Sequence, residues 1–110
     1  MENLFSKKCI ACEGGTPPIS KEESQNYLSQ VLGWEMVEDG KKITKEFKFK
    51  NFKEAMAFIN NVADLAESEG HHPDIHIYYS RVILELWTHA IGGLSENDFI
   101  LAAKINNLGQ

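Results

Sequence analysis

The chain has 110 residues, 43% of them hydrophobic and 25% charged, the size and composition of one soluble globular domain and too little for two. No apolar run approaches the ~18 residues that a membrane-spanning helix needs, and the N-terminal stretch lacks the apolar segment of a signal peptide. Eleven Lys and Arg against 16 Asp and Glu give a net charge of −5, which argues against a nucleic-acid binder, because such affinity comes from neutralising phosphates.

In chain order, residues 1–19 read as a lead-in with little regular structure, followed by a single domain over residues 20–110. Gly14, Gly15, Pro17 and Pro18 punctuate the lead-in. Cys9 and Cys12 stand as a C-x-x-C pair, but no second pair exists and a Gly-Gly-Thr-Pro-Pro stretch follows. They read as a reduced, non-catalytic pair in a cytoplasmic protein. Ser20 and Glu23 have capping-box spacing, and Tyr27, Leu28, Val31 and Leu32 follow at helical spacing until Gly33 ends the helix. Trp34 to Phe49 reads as a hairpin turning at Asp39-Gly40. On its return arm Ile43, Phe47 and Phe49 alternate with Thr44, Glu46 and Lys48, while Lys45 interrupts the apolar side and suggests an edge strand. The nearby basic run Lys41, Lys42, Lys45, Lys48 and Lys50 is interleaved with acids and reads as a solvated face.

Asn51 caps a second helix that runs to about Glu69 and stops at Gly70. Phe52, Ala55, Met56, Ile59, Ala63 and Ala66 are its expected core stripe, with Phe58, Val62 and Leu65 flanking. An arc this wide fits either a deeply buried helix or a subunit interface. Ile75–Tyr79 and Val82–His89 form two further strands turning at Ser80-Arg81. Val82, Leu84, Leu86 and Thr88 share one face, and Ile83, Glu85, Trp87 and His89 the other. Ser95, with Asp98 three residues on, caps a last helix whose inner face holds Phe99, Ala102 and Ala103. The order α-ββ-α-ββ-α predicts an α+β domain of two layers, a four-stranded antiparallel sheet with helices on one face.

All four histidines, His71, His72, His76 and His89, fall within one short stretch. Histidine suits both proton transfer near neutral pH and metal ligation. Pro73 biases His72 towards extended backbone, so His71 and His72 point to opposite sides and flank a space. His89 is placed to close that space from a third direction. Metal binding, for which Asp74 would be a further ligand, is the weaker reading. His72 and His76 are in phase and His71 is not, so a compact three-histidine cage is not the natural geometry. Nucleophilic catalysis has little support, since neither cysteine neighbours a histidine and no G-x-S-x-G elbow or glycine-rich phosphate loop is present.

The segment Glu67-Ser-Glu-Gly-His-His-Pro-Asp-Ile-His-Ile-Tyr-Tyr closely resembles the signature of the pterin-4a-carbinolamine dehydratases. That pattern is an acidic residue, three spacers, His-His-Pro, a short gap, an aromatic, nine spacers, a His and a downstream Asp. Glu67, His71, His72, Pro73, Tyr79, His89 and Asp98 fill it in turn. The resemblance extends to the hairpin and to the Thr-His-x-x-x-Gly-Leu-Ser stretch, nearly the whole chain after residue 19. It implies an antiparallel four-stranded sheet backed by helices, in dimers that sometimes pair into tetramers.

The implied reaction is dehydration of 4a-hydroxytetrahydrobiopterin, or a related pterin, to the quinonoid dihydropterin, in recycling the tetrahydropterin spent by an aromatic amino acid hydroxylase. No cofactor and no metal is implied, the pterin being the substrate. Carried over, His71 and His89 are the expected proton-transfer groups and His72 an orienting group with a catalytic share. The expected substrate contacts are His71, His72, Pro73, Thr88, His89, Ala90 and Ile91, with Glu67, Tyr79 and Asp98 in support. Asp98 either holds a histidine or caps the last helix, and His76 has no role in the pattern. Two alternatives stay open: a non-catalytic interaction protein, as animal members resemble a dimerisation cofactor of a homeodomain transcription factor, or a dehydratase-like protein for another pterin. No nucleic acid or membrane partner is expected.

Overall fold

The computed structural model describes residues 4–9 and 17–108. Ser20 caps α1 (Lys21–Leu28), its side chain accepting from the Glu23 backbone N–H. The helix closes a turn earlier than the periodicity predicts. Val31 is buried, but Leu32 is 81% exposed and lies off the core face. Gly33 follows at φ +86°, a backbone conformation that favours glycine.

Strands β1 (Glu35–Val37), β2 (Lys42–Lys48), β3 (Asp74–Tyr78) and β4 (Arg81–Leu86) form one antiparallel sheet in the order β1-β2-β4-β3. The sheet is therefore the predicted four-stranded antiparallel one, but β2 is interior, not an edge. Lys45 is tolerated there because its ammonium is satisfied. It donates to the Leu32 carbonyl (3.0 Å) and Asn106 Oδ1 (2.8 Å) and lies 4.8 Å from the Phe47 ring centre. Burial holds its pKa below the ordinary lysine value. The first turn stays centred on Asp39-Gly40 but is wider than expected, and the second shifts by one residue. Val37 pairs with Lys42, so residues 38–41 make a four-residue loop in which Glu38, Asp39 and Gly40 all take positive φ. Tyr78 pairs with Arg81, placing the second turn at Tyr79-Ser80, with Tyr79 at φ +57°.

The inner face of the sheet carries Ile43, Phe47, Val82, Leu84 and Leu86, all essentially inaccessible. Against it lies α2 (Phe52–Glu69), capped by Asn51 and ended by Gly70 in the left-handed conformation. Phe58 meets Phe47 at 4.7 Å between ring centres. The buried stripe of α2 is Ala55, Phe58, Val62 and Ala66. The predicted stripe was rotated: Phe52 is 48% exposed, Ala63 is exposed, and Met56 and Ile59 are half-buried. A wide apolar arc fixes the helix but not its rotation, because either stripe satisfies the period. Helix α3 (Glu96–Asn106) is buried nearly all round, with Ile100, Leu101 and Ile105 joining Phe99 and Ala102 inside.

Residues 4–9 belong to this packing. A short 3-10 turn at Leu4–Ser6 buries Leu4 in the core, and Lys7 pairs with Glu96 at 2.7 Å. A single buried leucine has no period for a sequence reading to find. Cys9 is a free thiol, whereas Cys12 lies outside the described residues.

Candidate functional site

The site forms where α2, β3, β4 and α3 meet. Gly70 turns the chain at φ +67°, so His71 heads inward while His72 stays at the surface, as Pro73 and the extended backbone require. From the other side Leu86 ends β4, Thr88 pairs with Gly93, and His89–Ile91 form a 3-10 turn. His89 thus opens a turn after the strand instead of ending the strand itself. Between these segments lies a cleft of about 510 Å³, lined by Gly70, His71, His72, Pro73, Asp74, Trp87, Thr88, His89, Ala90 and Asn97, a volume within the range of small-molecule sites.

Asp98 organises the rear wall. It is fully buried and collects three donors. His71 Nε2 lies 2.6 Å from its Oδ1. The Thr88 hydroxyl (2.9 Å) and the Ser95 backbone N–H (2.9 Å) both donate to its Oδ2. Since Thr88 gives its hydrogen to Asp98, the Ser95 hydroxyl 2.7 Å away donates to Thr88. The sequence left two roles open for Asp98, and the geometry shows both: one oxygen caps α3 and the other holds His71. An ionised Asp98 only accepts, so the His71 tautomer that fits this contact has its hydrogen on Nε2 and leaves Nδ1 bare.

The front is more open. His72 Nε2 meets Glu67 Oε2 at 2.5 Å, with side chains 58% and 77% exposed. The His89 ring lies on Trp87, ring centres 3.9 Å apart, and Trp87 Nε1 donates to Asp74 Oδ2 at 3.1 Å.

Behind the site, Glu69 is nearly buried between Lys104 (2.7 Å) and the Cys9 backbone N–H (3.0 Å). Burial opposes its ionisation, but these two donors outweigh it and hold its pKa below the ordinary value. The Cys9 thiol is pushed up to about 12, by burial first and the Glu69 charge second. It is therefore no nucleophile at neutral pH.

Of the residues the resemblance implied, His71, His72, Pro73, Thr88, His89 and Ala90 line one cleft, and Glu67 and Asp98 bond to two of its histidines. Ile91 closes the 3-10 turn, its N–H donating to the Thr88 carbonyl, without lining the cleft. Tyr79 sits at the tip of the β3–β4 hairpin, 69% exposed and roughly 16 Å along the strand from Asp74. His76 faces Glu85 at 3.6 Å and is not among the residues that line the cleft. Trp87 and Asn97 are lining residues that the sequence did not point to, and Asp74, considered above only as a metal ligand, lines the cleft as well. The period-two alternation that put Trp87 on the face of His89 was the signal for one of them. Among the described residues no three His, Cys, Asp or Glu side chains converge as a metal ion would need.

The family model described as pterin 4 alpha carbinolamine dehydratase matches residues 17–108. A Nitrosospira multiformis protein provisionally named a pterin-4-alpha-carbinolamine dehydratase is 51% identical over 110 residues, covering 100% of this chain and 96% of that protein. The Arabidopsis thaliana protein named pterin-4-alpha-carbinolamine dehydratase 2, mitochondrial, is 45% identical over 98% of this chain and 60% of its own length. The crystal structure of a transcriptional coactivator/pterin dehydratase from Brucella melitensis superposes with a TM-score of 0.80 and 34% identity, over 84% of this chain and 99% of that one.

Proposed function

The chain belongs to the pterin-4-alpha-carbinolamine dehydratase family, and from that premise we propose that it dehydrates a 4a-hydroxytetrahydropterin, 4a-hydroxytetrahydrobiopterin first among them, to the quinonoid dihydropterin and water. The observation that carries this reading is the buried Asp98 holding His71 by Nε2 at the wall of a cleft that His72 and His89 also line.

In the reaction the C4a–O bond breaks, N5 loses its proton and a C4a=N5 double bond forms. The departing hydroxyl needs an acid and N5 needs a base. His71, with Nδ1 facing the exchange, and His89 take these two parts, and His72 orients the ring. Each positioned group of this kind contributes about 10²–10⁴-fold. All the atoms of the products come from the substrate, so the residues have only protons to move. An aromatic amino acid hydroxylase in the same compartment, which we place in the cytoplasm, is the source of the substrate.

The exposed and half-buried stripe of Phe52, Met56, Ile59 and Ala63 on α2 suits self-association as a dimer or tetramer, which sedimentation at micromolar concentration tests. The same stripe supports the second reading, an interaction protein, in keeping with the coactivator in the name of the Brucella structure.

The deciding experiment generates the 4a-carbinolamine with a hydroxylase and follows its decay by absorbance. The chain is expected to accelerate decay, and His72→Ala to lose at least about tenfold in kcat/KM with an unchanged melting temperature. Decay at the spontaneous rate with the intact chain would overturn the dehydratase reading and leave the interaction reading.

A further inference from the structure

Each histidine of the cleft has a different holder. His71 has Asp98 and His72 has Glu67. Among the described residues no hydrogen bond or ion pair holds the side chain of His89, which is exposed at the head of its 3-10 turn. What it has is Trp87. We infer that Trp87, anchored by Asp74, is a positioning residue that sets the ring of His89 for the proposed proton transfer.

The backbone makes the pairing local. Thr88 is extended (φ −103°, ψ 105°) and pairs with Gly93, so its side chain points inward to Asp98 while residues 87 and 89 project together on the opposite side. The two rings lie 3.9 Å apart between centres and are tilted by 32°, a close contact that restricts the rotamers open to an exposed imidazole. Trp87 is itself fixed, by the indole N–H donating to Asp74 Oδ2 at 3.1 Å and by the Lys42 ammonium 5.1 Å from its ring centre. Lys42 in turn lies 4.0 Å from Glu85. Asp74 is the residue after Pro73, so one short segment places His72 and, through the indole, His89. Trp87 alone supplies both needs, an aromatic face for the imidazole and a ring N–H for the carboxylate. Phenylalanine would keep the first and lose the second, and leucine would lose both.

The inference rests on the dehydratase reading for its kinetic consequence but not for its structural one, and the experiment separates them. Trp87→Leu is expected to lower kcat about tenfold while KM moves less than about twofold. Trp87→Phe is expected to recover to within about threefold of the original kcat. In NMR spectra the His89 ring protons of the intact chain should be shifted upfield by the indole, with side-chain couplings of one rotamer. Trp87→Leu should move them downfield and average the couplings. Intact kcat in Trp87→Leu, a loss confined to KM, or unchanged His89 couplings would each overturn the positioning role. An inactive intact chain whose His89 is still immobilised through Trp87 would instead overturn the dehydratase reading and leave the anchoring of His89 standing.

Discussion

His71 and His72 are neighbours in sequence, and each meets a carboxylate at nearly the same distance, 2.6 Å and 2.5 Å. Their surroundings differ completely. The His71 and Asp98 side chains are 12% and 0% exposed, and those of His72 and Glu67 58% and 77%. The rear pair is part of the core: its carboxylate also caps α3 and accepts from Thr88, so it ties His71 to α3 and to the segment after β4. The front pair stands in water, where Coulombic attraction is weak and screened and ordering two side chains costs entropy. Contact distance therefore says little about what a pair is worth, and burial and shared partners decide it.

The sharpest way to break this comparison is to remove Asp98. Asp98→Ala leaves the His71 Nε2–H, the Thr88 hydroxyl and the Ser95 N–H without their acceptor inside the protein. The expected cost is about 3 kcal/mol, read as a fall of about 13 °C in the melting temperature. Dehydration should fall by about a hundredfold or more in kcat/KM, because the tautomer and aim of His71 are lost together. A variant with intact stability would show that the rear wall is not held by this carboxylate.

A second test extends the comparison to Glu69 and Lys104, whose side chains are 6% and 14% exposed. Lys104→Met should cost about 2 kcal/mol at neutral pH, measured by urea unfolding. The sign of its pH dependence follows from Glu69, whose pKa is lower in the folded chain than its ordinary 4.5. The stability that this shift contributes is fully present above that ordinary value and is lost as the pH falls through the folded one. The gap between the intact chain and Lys104→Met should therefore be wide near neutrality and narrow in acid. A gap independent of pH would assign the loss to packing of the lysine stem.

The sheet, the helices and their caps were legible because each rests on local chemistry: Ser20, Asn51 and Ser95 as caps, Gly70 as a stop, and alternation along β2 and β4. What was not legible depended on partners distant in sequence. Lys45 looked like an edge residue because Asn106 and the Leu32 carbonyl, which satisfy it, lie elsewhere in the chain. The rotation of α2 followed from which side met Phe47. At the site, spacing and family resemblance named the three histidines. They did not show that Asp98 serves two masters at once, nor that Trp87 and Asp74 stand behind His89, because these are contacts between elements. Tyr79 fits the family pattern, yet within one chain it lies at the far end of a hairpin from the cleft, since a pattern of spacings records sequence positions and not proximity.

The gentlest test is Glu67→Gln, and its value lies in how little it should do. The side chain keeps its size and one accepting oxygen, and it loses a charge that water already screens. Stability should change by less than about 0.5 kcal/mol, against about 3 kcal/mol for the buried partner of the neighbouring histidine. Turnover should fall only about two- to threefold, because His72 keeps its backbone placement through Pro73 and loses only the charged half of its orientation. Salt gives the decisive contrast. Raising ionic strength from about 0.05 M to about 0.5 M shortens the screening length severalfold, so the activity of the intact chain should approach that of Glu67→Gln while the deficit of Asp98→Ala stays constant. If Glu67→Gln instead proves as damaging as Asp98→Ala, and salt does not reduce its effect, then the front pair is desolvated in the working enzyme. The only agents able to desolvate so open a position are bound substrate and a second subunit, and comparing the variant's stability with and without a pterin, at fixed protein concentration, would tell which of the two covers it.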